Sequence, residues 1–200
     1  MTRKAKTATG MALALGLWLI WELSPIRAIV SVANLSDPTK LATLAPRGAN
    51  PRLNKIVYWL DQSERRFLSA ETAVNAAQTL NVTREPRASL VKESLLRNLK
   101  IARELGLLTK ENRERLRRGQ AAVVTRGPYS GSDVEIDHIV PISLAPEAGN
   151  ELANLEMLPE PLNRKKSNRI GDRQRAHAKR LRDAGLLSQT SFDRVMSAKR

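Results

Sequence analysis

The sequence has no cysteine and only two histidines among its 200 residues. Without cysteine there is no disulfide bond, no thiolate-bound zinc and no thiol nucleophile. With only two histidines, any metal ion has to be bound mainly by oxygen ligands. The composition therefore excludes thiol enzymes and proteins built on Cys-ligated zinc.

Aromatic residues are also scarce, at 4% of the chain. Proteins that bind single-stranded nucleic acid without sequence preference stack the bases on aromatic side chains. This composition argues against such a stacking platform. If the protein binds nucleic acid, contacts to backbone phosphates are expected to supply most of the affinity.

Positive charge is abundant by contrast. The chain has 34 Lys and Arg against 20 Asp and Glu, which gives a net charge of +14. Residues 161–200 hold 12 basic and 3 acidic residues, so they contribute 12 − 3 = +9 of that total. The charge predicts a polyanionic partner, and the alternatives are an anionic membrane surface or simple solubility.

An apolar run of eleven residues, Met11 to Trp21, follows a start that carries three basic residues. A membrane-spanning helix needs about 20 apolar residues, whereas a basic start before about 7–15 apolar residues is typical of a secretory signal. We predict that residues 1–33 are an export signal cleaved after Ala33, which would send the protein to the periplasm or the medium. The alternatives are an uncleaved membrane anchor through residues 11–23 and a buried helix.

At 200 residues the chain has room for one domain, or for one domain plus a short appendage. Residues 34–55 contain three prolines without a steady hydrophobic period, and we predict a linker there. Residues 56–108 are predicted to be a helical region, with one helix after Ser69 and another ending at Gly106. The second of these helices, beginning at Arg87, places four apolar residues on one face: Val91, Leu95, Leu99 and Ala102.

Residues 109–200 form the last predicted region, and its pattern is mixed. Thr109 is expected to cap a short basic helix that Gly119 ends. Strands are predicted at A-A-V-V-T, residues 121–125, and at V-E-I-D-H-I-V-P, residues 134–141, before a basic helix near residue 161. Two strands followed by a helix predict an α+β unit.

Asp137 and His138 stand at the end of the second predicted strand. Hydrolysis of a phosphodiester needs a base for water and a cation for the phosphate charge. A neutral histidine can accept the proton from water near pH 7, and a carboxylate with an amide oxygen suits Mg²⁺. Because neighbours on a strand point to opposite faces, both side chains reach one ligand only if the backbone bends here. Capping a strand end is the alternative role for His138.

Asparagines and basic residues follow at fixed distances. Asn154 lies 16 residues after His138, where its amide can bridge backbone groups of the loop, and Asn163 opens the basic helix, where its oxygen can face a metal ion. The structural alternatives are a turn residue and a helix N-cap. The neighbouring basic side chains are placed for phosphates or form a solvated face: Arg164, Lys165, Lys166 and Arg169.

The motifs D-H-I-V-P, then N-L, then N-R-K-K-S-N resemble the HNH endonucleases, a family with a ββα-metal fold. The resemblance covers roughly residues 119–185. It implies that residues 109–200 are an HNH nuclease domain with C-terminal basic helices, that is, an HNH core with additional helices before and after it. It also implies Asp137 and Asn163 as metal ligands and His138 as general base. It further implies that Asn154 orients the base, that Lys166 assists at the phosphate, and that DNA is the substrate.

The sequence departs from the family pattern at two points. Many members carry a second histidine on the metal helix or a CxxC zinc knuckle, whereas this chain has Asn163 and no cysteine. The ligand set therefore favours Mg²⁺, with Mn²⁺ as the alternative. The alternative to an enzyme is a catalytically inactive HNH-like protein that only binds nucleic acid.

The remaining candidate residues have more than one interpretation. Arg117 and Arg118 can contact backbone phosphates or serve solubility. Glu135 shares a strand face with Asp137, so it either supports the metal site or is a solvated carboxylate. We predict that His177, in a polar helix, is a surface residue.

Overall fold

The computed structural model describes residues 24–167 and 169–198. Those residues form nine α-helices, two strands and two short 3-10 turns, the turns at Pro146–Ala148 and Leu152–Asn154. The strands are β1 (Val134–His138) and β2 (Leu155–Pro159). The helices are α1 Pro25–Ser36, α2 Pro38–Ala42, α3 Asn50–Arg65, α4 Ala70–Leu80, α5 Arg87–Glu104, α6 Lys110–Arg117, α7 Glu160–Lys166, α8 Asp172–Asp183 and α9 Gln189–Ser197.

Helix α1 belongs to the core. Ser24 caps it by accepting a hydrogen bond from the backbone N–H of Ile26 at 3.1 Å, and Pro25 occupies the first turn, where no N–H is needed. Ala28 and Val32 are 0% exposed, and the helix packs on α3 and α4. Cleavage after residue 33 would remove residues 25–33, nine of the twelve residues in α1.

The predicted apolar leader, residues 11–23, lies outside the described residues. Within the described part of the chain, no helix is long and apolar enough to cross a membrane.

The predicted linker at residues 34–55 is wrong, since the segment contains α2 and the first turns of α3. Leu41, Ala49 and Leu53 from this segment are 0–2% exposed. Two of its three prolines, Pro38 and Pro51, stand in the first turns of helices, where proline is tolerated, and Pro46 lies in the turn between those helices.

The helices predicted from caps and periodicity are confirmed. The hydroxyl of Ser69 accepts a hydrogen bond from Thr72 N at 3.0 Å at the start of α4, and Thr109 does the same for Asn112 N at 3.2 Å before α6. Gly106 follows α5 with φ +69°, a conformation that favours glycine. The four apolar residues of α5 are all buried, at 0–6% exposure.

The sheet is smaller than predicted and differently paired. Strands β1 and β2 are antiparallel, with Val134 opposite Pro159 and His138 opposite Leu155. Residues 121–125 do not form a regular strand. Their backbone pairs only briefly with residues 131–134, since Val134 N donates to the C=O of Ala122 at 2.8 Å and Val124 N donates to the C=O of Ser132 at 2.9 Å. The side chain of Asn112 bonds the N–H and the C=O of Val123, at 2.9 and 2.8 Å. Only one isolated bridge, from Val123 to Asp133, remains there.

One hydrophobic core joins the described elements, from Val32 in α1 to Val195 in α9. Helix α5 packs on β2 and on the 3-10 turn before it, and α7 packs on both strands. The predicted boundaries at residues 55 and 108 therefore do not divide the chain into separate cores. The order strand, strand, helix is β1, β2 and α7, which gives an α+β fold that is mostly helical.

Candidate functional site at the end of strand β1

The two faces of β1 have different chemistry. Val134, Ile136 and His138 lie on the face that meets the core, whereas Glu135 and Asp137 lie on the opposite face. Asp137 and His138 therefore diverge within the strand. The strand ends at His138, and the backbone bends at the two residues that follow.

His138 is buried, with 6% of its surface exposed. Its Nε2 lies 2.8 Å from the carbonyl oxygen of Gly149. Because a carbonyl only accepts hydrogen bonds, Nε2 carries the ring proton and Nδ1 keeps a free lone pair in the neutral ring. Burial lowers the pKa of His138 below 6.5, against the opposing effects of Gly149 and Asp137. The ring is therefore neutral, and able to act as a base, at pH 7.

Asn154 is completely buried and holds the loop that follows His138. Its Oδ1 accepts from the N–H of Val140 at 2.9 Å, and its Nδ2 donates to the C=O of Val140 at 2.9 Å. The backbone C=O of Asn154 accepts from Ile139 N at 2.8 Å. Two consecutive residues after His138 are thus bonded to one asparagine, which restrains the loop that carries the histidine.

Helix α7 covers the polar face of the sheet. Lys166 forms an ion pair with Asp137, and its Nζ also donates to the C=O of His138 at 2.7 Å. Asn163, one turn earlier, donates from Nδ2 to Oε2 of Glu135 at 2.6 Å. The fold thus brings Lys166 to the carboxylate of Asp137 and to the backbone carbonyl of His138, whose ring lies on the other face, and it joins Asn163 to Glu135 rather than to Asp137.

The oxygen atoms on this face suit one hard divalent ion by type. Glu135 and Asp137 offer carboxylates, and Asn163 has its Oδ1 left over because Nδ2 is bonded to Glu135. The ammonium of Lys166 already sits on Asp137, so a metal ion would compete with Lys166 for that carboxylate. Within the described residues there is no cluster of three or more His, Cys, Asp or Glu side chains in metal-binding proximity.

The predicted basic residues fall on two separate elements. Arg164, Lys165 and Arg169 are exposed on α7 and just after it, and Arg164 is ion-paired with Glu160. Arg117 and Arg118 are exposed at the end of α6, where Arg117 pairs with Glu114 at 3.0 Å. The first group adjoins Lys166, whereas the second belongs to a different part of the surface.

The surface position predicted for His177 is wrong, since the residue is only 8% exposed. Burial, together with the charges of Arg97 and Arg180, lowers the pKa of His177 to about 4. The backbone of Ala153, the residue before Asn154, opposes this lowering of the pKa. The sequence did carry a signal for the burial of His177, because Gln174, Ala178 and Leu181 share its helix face at helical spacing and are buried with it.

Glu156 was not predicted to contribute and lies directly opposite Asp137 in the sheet. It is 2% exposed, and its carboxylate is ion-paired with Arg173, whose Nη1 lies 3.0 Å from Oε1. The pair ties β2 to α8. A lone glutamate in an apolar segment does not identify this role in the sequence.

Helix α5 supports the site through two buried polar side chains. Oγ of Ser94 donates to the C=O of Leu152 at 2.8 Å. Asn98 accepts from Met157 N at 2.7 Å and donates to the C=O of Leu155 at 3.0 Å. Both ends of the turn that contains Asn154 are therefore fastened to a helix outside the strand–strand–helix unit.

Comparison with protein-family models, curated proteins and solved structures finds no match to this chain.

Proposed function

We propose that this protein is a metal-dependent HNH-type endonuclease that hydrolyses phosphodiester bonds of DNA. The observation that carries the proposal is the state of His138: buried, neutral and bonded through Nε2 to Gly149, with Nδ1 free to accept a proton. A histidine with one fixed nitrogen and one basic nitrogen is what a general base requires.

Each residue of the site has a separate role in the proposed reaction. His138 takes a proton from water at Nδ1, and Asn154 keeps the loop behind it in place through Val140. Lys166 supplies positive charge beside Asp137 and contacts phosphate. Asp137 and Asn163 would hold one divalent ion, Mg²⁺ or Mn²⁺, which when bound neutralises charge on the scissile phosphate.

The charge distribution supports DNA as the partner. Residues 161–200 carry a net +9 (12 − 3), and this segment begins at the helix that covers the site. Exposed Arg164, Lys165 and Arg169 extend the positive charge from Lys166. We further propose that the protein acts outside the cytoplasm, because its first residues have the composition of an export leader.

A second candidate function is DNA binding without catalysis. The observation that favours it is the ion pair of Lys166 with Asp137, which neutralises the carboxylate without a metal ion. Under this hypothesis the same basic surface binds DNA, and binding weakens steeply with salt, but no cleavage occurs with any divalent ion.

A plasmid-nicking assay with Mg²⁺ or Mn²⁺, with and without EDTA, tests the proposal. The matched variant is His138→Gln, whose amide N–H can still bond the carbonyl of Gly149 but which has no basic nitrogen. We expect EDTA to abolish nicking and the variant to lose about 10²–10⁴-fold in rate, the usual contribution of a general base.

Each outcome separates the hypotheses. Equal nicking by the wild type and His138→Gln would refute the mechanism. Tight, salt-sensitive DNA binding by the wild type without nicking under any metal would favour the second candidate. Circular dichroism of both proteins establishes that the variant is folded.

A further inference from the structure

We propose that Arg47, on the loop between α2 and α3, binds a phosphate of the nucleic acid at this site. The inference rests on the proposed function and assigns a role to a residue far from the predicted nuclease region in the sequence. It follows from how that loop is fastened beside His138 and from the unpaired state of its guanidinium.

The loop of residues 43–49 is held against the segment that contacts His138. Nδ2 of Asn150 donates to the C=O of Leu44 at 3.0 Å and of Ala45 at 3.1 Å, and its Oδ1 accepts from Ala49 N at 3.1 Å. Asn150 directly follows Gly149, whose carbonyl accepts the hydrogen bond from His138. One asparagine therefore fixes the loop next to the proposed base.

The conformation of Arg47 is also fixed. Its φ is +66°, which is uncommon for a residue other than glycine, asparagine or aspartate. The turn is closed by Asn50 N donating to the C=O of Arg47 at 3.0 Å. Gly48 is needed in this turn, since a Cβ there would lie 2.8 Å from Cβ of Leu44.

The guanidinium of Arg47 is available to a ligand. Its side chain is exposed and forms no ion pair with any of the described residues. Its positive charge acts on His138, together with that of Lys166 on the other side of β1. Two cations from different elements thus act electrostatically on the proposed base, and such a pair suits a ligand with several charged oxygens.

A cavity of about 430 Å³ connects Arg47 with the loop beside His138, and Gly149 and Asn150 also line it. One carboxylate, Glu147, lies in the same wall. That carboxylate is turned toward α9, where it accepts hydrogen bonds from Ser188 Oγ at 2.7 Å and from Ser191 Oγ at 3.0 Å. It therefore does not neutralise Arg47.

The test uses Arg47→Gly, because glycine adopts φ +66° without strain while the guanidinium is removed. Arg47→Lys keeps the charge but loses the planar fork. The control is Arg84→Ala, which removes the charge of another exposed arginine without an ion pair, on the loop between α4 and α5. Binding of a short fluorescent duplex in EDTA and plasmid nicking in Mg²⁺ are measured for all four proteins.

We expect Arg47→Gly to lower the nicking rate about 10- to 100-fold, as loss of one charge-assisted hydrogen bond does. The slope of log affinity against log salt should become shallower by about 0.9, the value for one phosphate contact. Arg47→Lys should keep the salt slope of the wild type and lose part of the nicking rate. Arg84→Ala should match the wild type in nicking.

The result that overturns the inference is an Arg47→Gly protein that binds and nicks DNA as Arg84→Ala does, because the proposed function then stands without this residue. A wild type that neither binds nor nicks DNA overturns the proposed function and the role of Arg47 with it. If the wild type binds DNA without nicking it, the salt slope alone decides for or against Arg47.

Discussion

Replacement of Asn154 by alanine tests the loop that carries His138. Asn154 and Val140 are both 0% exposed. The substitution removes the acceptor for the N–H of Val140 and the donor for its C=O, each now bonded at 2.9 Å. It also removes a longer bond from Nδ2 to the C=O of Ala148 at 3.3 Å.

The expected loss of stability in Asn154→Ala follows from the backbone groups that the substitution leaves without hydrogen-bond partners. A buried polar group that loses its hydrogen bond costs about 1–3 kcal/mol, so the two groups of Val140 together cost about 2–6 kcal/mol. A domain of this size has about 5–15 kcal/mol of total stability. Asn154→Ala is therefore expected to remove a large fraction of the free energy of unfolding.

Equilibrium unfolding in urea, followed by circular dichroism, measures the change. The control is Asn75→Ala on the exposed face of α4, which should change the free energy of unfolding by less than about 0.5 kcal/mol. A second variant, Asn154→Asp, keeps the acceptor for Val140 N–H but sets a second oxygen against the C=O of Val140, and we expect it to be destabilised as well.

The reasoning would be refuted if Asn154→Ala lost less than about 1 kcal/mol of stability. In that case the two bonds to Val140 do not hold the loop. At a temperature where the variant is fully folded, we also expect nicking to fall at least about 10-fold, because small displacements of a general base have large effects on rate.

Two further predictions concern stability. Since burial lowers the pKa of His177 from 6.5 to about 4, the unfolded chain binds more protons than the folded chain between these pH values. The free energy of unfolding therefore falls as pH falls through that window, by on the order of 3 kcal/mol. The difference between the unfolding free energies at pH 7 and pH 4.5 should be smaller in His177→Gln than in the wild type. An equal difference in the two proteins would contradict this prediction. A chain that begins at Asn34 lacks buried Ala28, Val32 and Ala33, so it should be less stable by about 3–5 kcal/mol than one that begins at Ser24. Equal melting temperatures of those two chains would show that α1 is not part of the core.

The helices were predictable where their ends carry local signals. Ser69, Thr109 and Gly106 act within one turn of the backbone, so their roles follow from a few neighbouring residues. The prolines of residues 34–55 misled the sequence interpretation because proline marks both linkers and first helical turns.

The pairing of the sheet was not predictable from local pattern. Residues 121–125 have strand-like composition, yet their backbone pairs with residues 131–134 over too short a stretch to form a regular strand. The strand opposite β1 is β2, whose sequence L-E-M-L-P is too short and too apolar to distinguish from a buried helix segment.

The candidate site was partly predictable, because its motif residues lie on one strand–strand–helix unit. Asp137 and Lys166 meet in the structure, whereas Asn163 bonds Glu135, a contact that depends on the angle at which α7 crosses the sheet. Whether the predicted residues bind metal and cleave DNA stays a prediction.

The sequence by itself determined the start of α4, the starts and ends of α5 and α6, the two faces of β1, and the positive charge beside the site. These depend on hydrogen bonds and periodicities within a few residues. Only the tertiary structure decided that the loop carrying Arg47 lies beside His138, that Asn98 holds β2 and that His177 is buried. The first two of these contacts join residues 101 and 59 positions apart, and no local pattern encodes which distant backbone group a side chain will reach.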